Sequence, residues 1–276
     1  MQGMVPITYL FVPATHTARI AKAFAAGAHA VIADLEDAVD AAGKQAARRQ
    51  LSDWLAVAPV GQAPWVRINA VGTQWFADDL SLLREHGAAL AGVMLSKTQS
   101  YADLQAVSGC VDGGLPLMAL IESARGLLAL ADVCRHPQLV RLAFGSADLA
   151  RDLGCEDAVD VLAPARAQLV LHSAAAGLLS PVDGVTFALD DPSRAQADAA
   201  QAARCGFGAK LCVHPAQLQP VLRGFSPTEA QCRWAESILA VAASGSGAQR
   251  LGGEMVDRPV IARAQAIIER RNAIGA

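Results

Sequence analysis

The sequence predicts an α/β protein, a TIM-type (β/α)8 barrel with a C-terminal helical extension. Eight short β-branched or aliphatic runs recur along the chain, at residues 7–13, 30–36, 65–69, 92–97, 116–122, 139–145, 181–187 and 209–215. Stretches rich in Ala, Leu, Arg and Gln separate them, so strand-like and helix-like patterns alternate. The 276 residues suffice for the roughly 250 that such a barrel takes.

Each run ends on or just before a residue suited to chemistry, as with Glu36, Arg67, Lys97, Glu122, Asp148 and His214. In a parallel barrel the strand ends share one rim, which is where reactive groups gather. Between the runs, residues 17–26 read as an outer helix, with Ile20, Ala23 and Phe24 on one face. Gly27, Gly87, Gly177 and Gly206 each precede a run and read as left-handed helix ends.

The barrel is expected to fill residues 1–224, and residues 225–276 a helical lid or oligomerisation segment. A helix over 227–243 leads to Ser244-Gly245-Ser246-Gly247 and Gly252-Gly253, read as a mobile loop. The last stretch, 259–271, carries Val260, Ile261, Ala264, Ile267 and Ile268 on one side and needs a partner, either the same barrel or a neighbouring subunit.

Composition narrows the function classes. Hydrophobic residues are 53%, charged residues 18% and the net charge is −3, which excludes a disordered chain and gives no basic block for nucleic acid. No apolar run reaches the ~18 residues of a membrane span, and no signal-peptide pattern opens the chain. The cytoplasm is the expected compartment. Six cysteines form no C-x-x-C pair and read as reduced thiols, not zinc ligands.

Glu122 and Asp148 follow adjacent runs, so both can aim at one point. Two carboxylates without nearby His or Cys suit Mg²⁺, which takes one or two protein carboxylates and leaves places for water and substrate. Capping of the following helix is the structural alternative for each acid. Arg67 sits in Trp65-Val66-Arg67-Ile68-Asn69, opposite Val66 and Ile68, and points where an anion is needed. It fits a substrate carboxylate or enolate oxygen, or a salt bridge to Asp34, Glu36 or Asp37. Glu36 and Asp37 are expected to support the site by holding Arg67, Lys97 or metal-bound water. Lys97 and His214 are assigned no catalytic role.

Leu10-Phe11-Val12-Pro13, Asp34-Leu35-Glu36-Asp37-Ala38-Val39 with Lys44 and Arg48, Val66-Arg67-Ile68-Asn69, Leu120-Ile121-Glu122, Phe144-Gly145-Ser146-Ala147-Asp148-Leu149 and Lys210-Leu211-Cys212-Val213-His214-Pro215 together resemble the CitE-like branch of the HpcH/HpaI aldolase and citrate lyase superfamily. The resemblance runs almost end to end. It implies a trimeric TIM barrel with Mg²⁺-dependent carbon–carbon lyase chemistry on acyl-CoA or acyl-carrier thioesters such as malyl-CoA, citramalyl-CoA or citryl-CoA. Glu122 and Asp148 would ligate Mg²⁺ and Arg67 would contact the 2-oxo acid portion. Met255-Val256-Asp257-Arg258-Pro259 looks like the segment that carries a catalytic aspartate, here Asp257, to a neighbouring subunit's site.

The chain departs from that pattern at Ala14-Thr15-His16, where the family usually has Gly-Asn/Asp-Arg, at Ser96 in place of proline, and at Ala147 in place of an acid. The first loop commonly helps hold the CoA end. Thioester hydrolysis, a citrate-lyase-type β subunit working only with an acyl-carrier partner, and an aldolase acting on free hydroxy acids are the rival readings.

Overall fold

A computed structural model describes residues 5–111, 114–244, 249–251 and 254–275. The chain divides into two compact units, Pro6–Gly224 and Phe225–Ala276.

The first unit is a closed barrel of eight parallel strands in sequence order. They are β1 (Thr8–Pro13), β2 (Ala30–Asp34), β3 (Trp65–Ile68), β4 (Gly92–Leu95), β5 (Leu117–Ile121), β6 (Leu139–Phe144), β7 (Leu179–Asp183) and β8 (Ala209–Cys212). Each pairs with its successor, and β1 closes the ring on β8 through Tyr9 and Leu211. Helices lie between successive strands, as the alternation predicted. The helix read over 17–26 spans Ala18–Ala25 and buries Ile20 and Ala23.

Two details differ from the sequence reading. The seventh strand begins before residue 181 and ends at Asp183. Pro181 lies inside it, and a proline offers no N–H to the ladder; the β6–β7 register shifts between Arg141 and Ala143, opposite this stretch. Gly87 is not left-handed, unlike Gly27, Gly177 and Gly206. It opens a short 3₁₀ turn, Gly87–Ala89, and a Cβ there would meet Val111 Cγ1 at 2.7 Å, so close packing demands the glycine.

The second unit packs the helices Glu229–Ser244 and Arg258–Gly275 together. Ala235, Ile238, Val256 and Ala264 form its core, with Val260, Ile261, Ile267 and Ile268 against it. The apolar face predicted for 259–271 packs instead on the neighbouring helix Glu229–Ser244 of its own unit, a partner the sequence reading had not considered. A small antiparallel pair, Gln249–Leu251 with Glu254–Val256, was not anticipated. The stretch read as a mobile loop, 245–248 and 252–253, lies outside the described residues. No helix among the described residues is long and apolar enough to cross a membrane.

Candidate active site

Alternate residues of a barrel strand face the interior. Tyr9, Ile32, Trp65, Leu120 and Leu211 fill it. Two residues further along the same rows stand Phe11, Asp34, Arg67, Glu122 and Val213, and all five line one cavity of about 290 Å³. The same periodicity that packs the barrel delivers the polar groups to its rim. Asp148 and Asp37 line this cavity too.

Asp34 and Arg67 are register partners across β2 and β3. Arg67 Nε donates to Asp34 Oδ1 at 2.7 Å and Nη2 to Oδ2 at 2.5 Å, while Nη1 lies 3.2 Å from Glu36 Oε2. Burial opposes the guanidinium's charge, but Asp34, Glu36 and Glu122 outweigh it and hold its pKa above the ordinary value. Phe11 backs the guanidinium at 4.6 Å from its ring centroid. Five N–H donors exceed what these two acids use, so Arg67 keeps donors for an oxygen in the cavity. The salt-bridge reading and the anion-binding reading of Arg67 are compatible.

Glu36 is buried and bonded to Lys97 Nζ. Lys97 Nζ is also 3.9 Å from Glu122 Oε1, and the Lys97 N–H donates to that oxygen at 2.7 Å. Asp34, Arg67, Glu36, Lys97 and Glu122 therefore form one continuous chain of alternating charge. Lys97 is the one non-glycine residue with positive φ (49°) among the described residues, a backbone state that costs an L-residue about 1 kcal/mol. Lys97 and Asp34 are members of the cluster to which the sequence assigns no catalytic role, Asp34 only a salt bridge to Arg67 and Lys97 only a place beside Glu36 and Asp37. Register could have found Asp34; the unusual backbone of Lys97 leaves no mark in sequence.

Glu122 is 3% exposed. Burial pushes its carboxyl up to about 7, with Lys97 opposing. It caps no helix, because Ser123 accepts the Gly126 N–H instead. Gly145 makes room for it: a Cβ there would fall 2.5 Å from Glu122 Cβ. Asp148 stands in the first turn of helix Ser146–Leu153 and pairs with Arg151 at 2.5 Å. Among the described residues no group of three or more His, Cys, Asp or Glu forms a ready metal cage. Of the four carboxylates lining this cavity, which holds no His or Cys, Asp34 is taken up by Arg67; Glu122 and Asp148 fit a hard divalent cation that completes its shell with water and substrate.

Asp37 is exposed, and its N–H donates to Glu36 Oε2 at 3.0 Å. The turn carrying both acids is tied down by Lys44 Nζ, which donates to the Leu35 and Glu36 carbonyls at 2.8 and 2.7 Å and to Asn69 Oδ1 at 2.9 Å. His214 caps the short turn Pro215–Gln217 by accepting the Ala216 N–H at 3.2 Å. In the second unit, Asp257 is exposed and caps helix Arg258–Gly275, accepting the Val260 N–H at 3.1 Å.

A parallel eight-stranded barrel with a guanidinium and four carboxylates lining one rim cavity is the framework of a TIM-barrel enzyme. The chain belongs to the HpcH/HpaI aldolase/citrate lyase family, whose model matches residues 8–215. It is 34% identical over 275 residues to a citrate lyase subunit beta-like protein of Deinococcus radiodurans, covering 94% of this chain and 95% of that one. It is 35% identical over 273 residues to a (3S)-malyl-CoA thioesterase of Cereibacter sphaeroides, covering 97% and 95%. Among solved structures, CitE from Mycobacterium tuberculosis in complex with magnesium, acetoacetate and coenzyme A superposes with a TM-score of 0.86 at 34% identity, over 97% of this chain and 98% of that one.

Proposed function

We propose that the protein is a Mg²⁺-dependent carbon–carbon lyase of 3-hydroxy dicarboxylic acyl-CoA thioesters, releasing a 2-oxo acid and a shorter acyl thioester. The observation that carries this reading is the convergence of Arg67, Glu122 and Asp148 on one cavity. A second cavity of about 440 Å³, with Arg19 and Lys22 in its wall, shares Phe11, Pro13 and Val213 with it. Two cations beside the reaction cavity suit the phosphates of a CoA tail.

Glu122 and Asp148 would hold the Mg²⁺. When bound, it supplies Lewis-acid stabilisation of the substrate's hydroxyl and adjacent carboxylate. In cleavage the hydroxyl would pass its proton to Asp257, the acid/base, and its O–H electrons become the new C=O. The C–C bond pair passes into the thioester as an enolate, and a proton is added at carbon. Arg67 faces the developing negative charge with its remaining donors, preset by Asp34 and Glu36. Asp257 would donate the proton at carbon, brought to the site by a neighbouring subunit in a trimer. Glu36 and Asp37 position Arg67, Lys97 and the turn that bears them.

Malyl-CoA, citramalyl-CoA and citryl-CoA incubated with purified protein and Mg²⁺ should give a 2-oxo acid, and chelator should stop its release. No 2-oxo acid from any of the three would overturn the reading. Thioester hydrolysis is the second reading, favoured by the 35% identity to a (3S)-malyl-CoA thioesterase. Free CoA formed from malyl-CoA in one-to-one yield with malate would select it.

A further inference from the structure

Two residues of the sequence stretch that carries the family resemblance, Lys44 and Arg48, do not line the reaction cavity. Both stand on one face of helix Lys44–Ala56, four residues apart. Lys44 opens that helix, whose first turn holds no acid. A cation at a helix N-terminus faces the positive end of the helix dipole, and this one is also buried, at 5% exposure. The helix dipole and burial both disfavour a lysine there, so its place is set by what its ammonium holds.

All three ammonium protons go to neutral oxygens, the Leu35 and Glu36 carbonyls and Asn69 Oδ1. The Trp75 ring centroid lies 4.9 Å from Nζ. The same turn is gathered from its inner side by Asp34, whose Oδ1 accepts the Glu36 N–H at 2.9 Å and whose Oδ2 accepts the Ala38 N–H at 3.2 Å. Those two oxygens are also the ones that clamp Arg67. The N–H groups of the turn thus close on a carboxylate and its carbonyls close on an ammonium.

Asn69 is fixed in its turn. Its backbone N–H and its Nδ2 donate to Asp79 Oδ2 at 2.9 and 2.6 Å, and Nδ2 also reaches the Leu35 carbonyl at 3.1 Å. Asp79 is fully buried, and its other oxygen lies 3.0 Å from Arg48 Nη1. A continuous line of hydrogen bonds therefore runs from Arg48 through Asp79, Asn69 and Lys44 to the turn, and from Asp34 to Arg67.

We propose that Lys44 is a positioning residue of the reaction site: it holds the turn of residues 34–38 closed around the Asp34 carboxylate and thereby aims Arg67. The part Arg67 takes in catalysis rests on the lyase reading; the hold on the turn does not. Three acceptors in three directions suit a tetrahedral ammonium, whereas a planar guanidinium offers its donors in one plane. Without the ammonium, two carbonyls and Asn69 Oδ1 lose their donor, the turn loosens and Asp34 moves with it. Asn69 and Asp79 act one and two contacts further out.

The test compares Lys44→Met, Lys44→Arg and the milder Asn69→Ala with Leu51→Ala, which truncates a buried apolar side chain of the same helix. All are made in the full-length protein. Without metal or substrate, amide hydrogen exchange at Glu36 and Ala38 should quicken about 10-fold or more in Lys44→Met and Asn69→Ala and stay near wild type in Leu51→Ala. With whichever of malyl-CoA, citramalyl-CoA and citryl-CoA the wild type cleaves, kcat should fall about 10-fold in Lys44→Met and Lys44→Arg while KM holds within about 3-fold. In an Asp34→Asn background, Lys44→Met should cost less than about 3-fold more, because both act through one clamp. Leu51→Ala should melt earlier and keep its kcat. Unchanged exchange in both Lys44→Met and Asn69→Ala would overturn the positioning role, as would a loss of kcat that multiplies in full with that of Asp34→Asn or is matched by Leu51→Ala. A wild type that cleaves none of the three thioesters would remove the lyase reading, and the exchange pattern, which needs no substrate, would then decide on Lys44.

Discussion

Arg67 is clamped by Asp34 through two parallel hydrogen bonds of 2.7 and 2.5 Å between adjacent barrel strands. The pair presets the guanidinium before any ligand arrives. Asp34→Asn should lower kcat/KM about 10- to 100-fold, the usual cost of losing a group that orients a site residue. Arg67→Lys should lose more, because an ammonium cannot make the fork. Steady-state kinetics with the thioester that proves to be the substrate measures both, and equal activity of Asp34→Asn and wild type would mean that Arg67 is oriented without its clamp.

Glu122 carries a pH signature. Its carboxyl rises from 4.5 to about 7 in the fold, so the folded state prefers the neutral form. Stability contributed by that preference is present below about pH 4.5 and is lost as pH climbs to about 7, on the order of 3 kcal/mol in all. Denaturant titrations of the metal-free protein should show this segment in wild type and not in Glu122→Gln. Mg²⁺ must displace the same proton, so its affinity should climb about 10-fold per pH unit below 7 and level off above.

Gly145 is the residue that lets Glu122 sit where it does. Gly145→Ala places a methyl 2.5 Å from Glu122 Cβ, and one of the two must move. Mg²⁺ affinity should fall at least 10-fold while the far-ultraviolet circular dichroism stays native. Unchanged affinity would mean that Glu122 is not a ligand.

Lys97 spends backbone energy to be where it is. Lys97→Gly keeps the N–H that donates to Glu122, relieves the left-handed strain of about 1 kcal/mol and removes only the ammonium between Glu36 and Glu122. The buried Glu36 loses one of its two cations, which outweighs the relieved strain, so the thermal midpoint should fall by a few degrees while kcat falls about 10-fold. A loss of stability with full activity would make the lysine purely structural.

Asp257 has a structural task and a proposed chemical one, and asparagine separates them. Asparagine caps a helix as well as aspartate does, so Asp257→Asn should melt like wild type and lose at least 100-fold in kcat if the carboxylate moves a proton. Mixing inactive Arg67→Ala and Asp257→Asn subunits should restore activity if the site is shared. No recovery after demonstrated subunit exchange would place Asp257 in its own chain's site or outside catalysis.

Much of this was readable from the sequence. The eight strand-forming runs follow from period-two and period-3.6 patterning, and both signals are strong because a barrel buries one face of every element. Glu122, Asp148 and Arg67 were legible as strand-end chemistry, and they do meet at one cavity. Asp34 was legible only as a salt-bridge partner for Arg67. Lys97 was set aside because nothing local distinguishes it from a balancing charge. Its left-handed backbone and its place between two acids come from residues 61 and 25 positions away.

The sequence by itself determined the barrel, since local periodicity and chain length leave few other ways to bury those faces. It also determined the residue types at the rim, because strand alternation carries the interior rows straight into the cavity. Tertiary structure decided which charges pair. Register across β2 and β3 joins Asp34 to Arg67, and burial, which no single segment specifies, raises the carboxyl of Glu122. The carboxylate of Asp183, shared by Arg166 and Lys210, is likewise a product of three elements meeting.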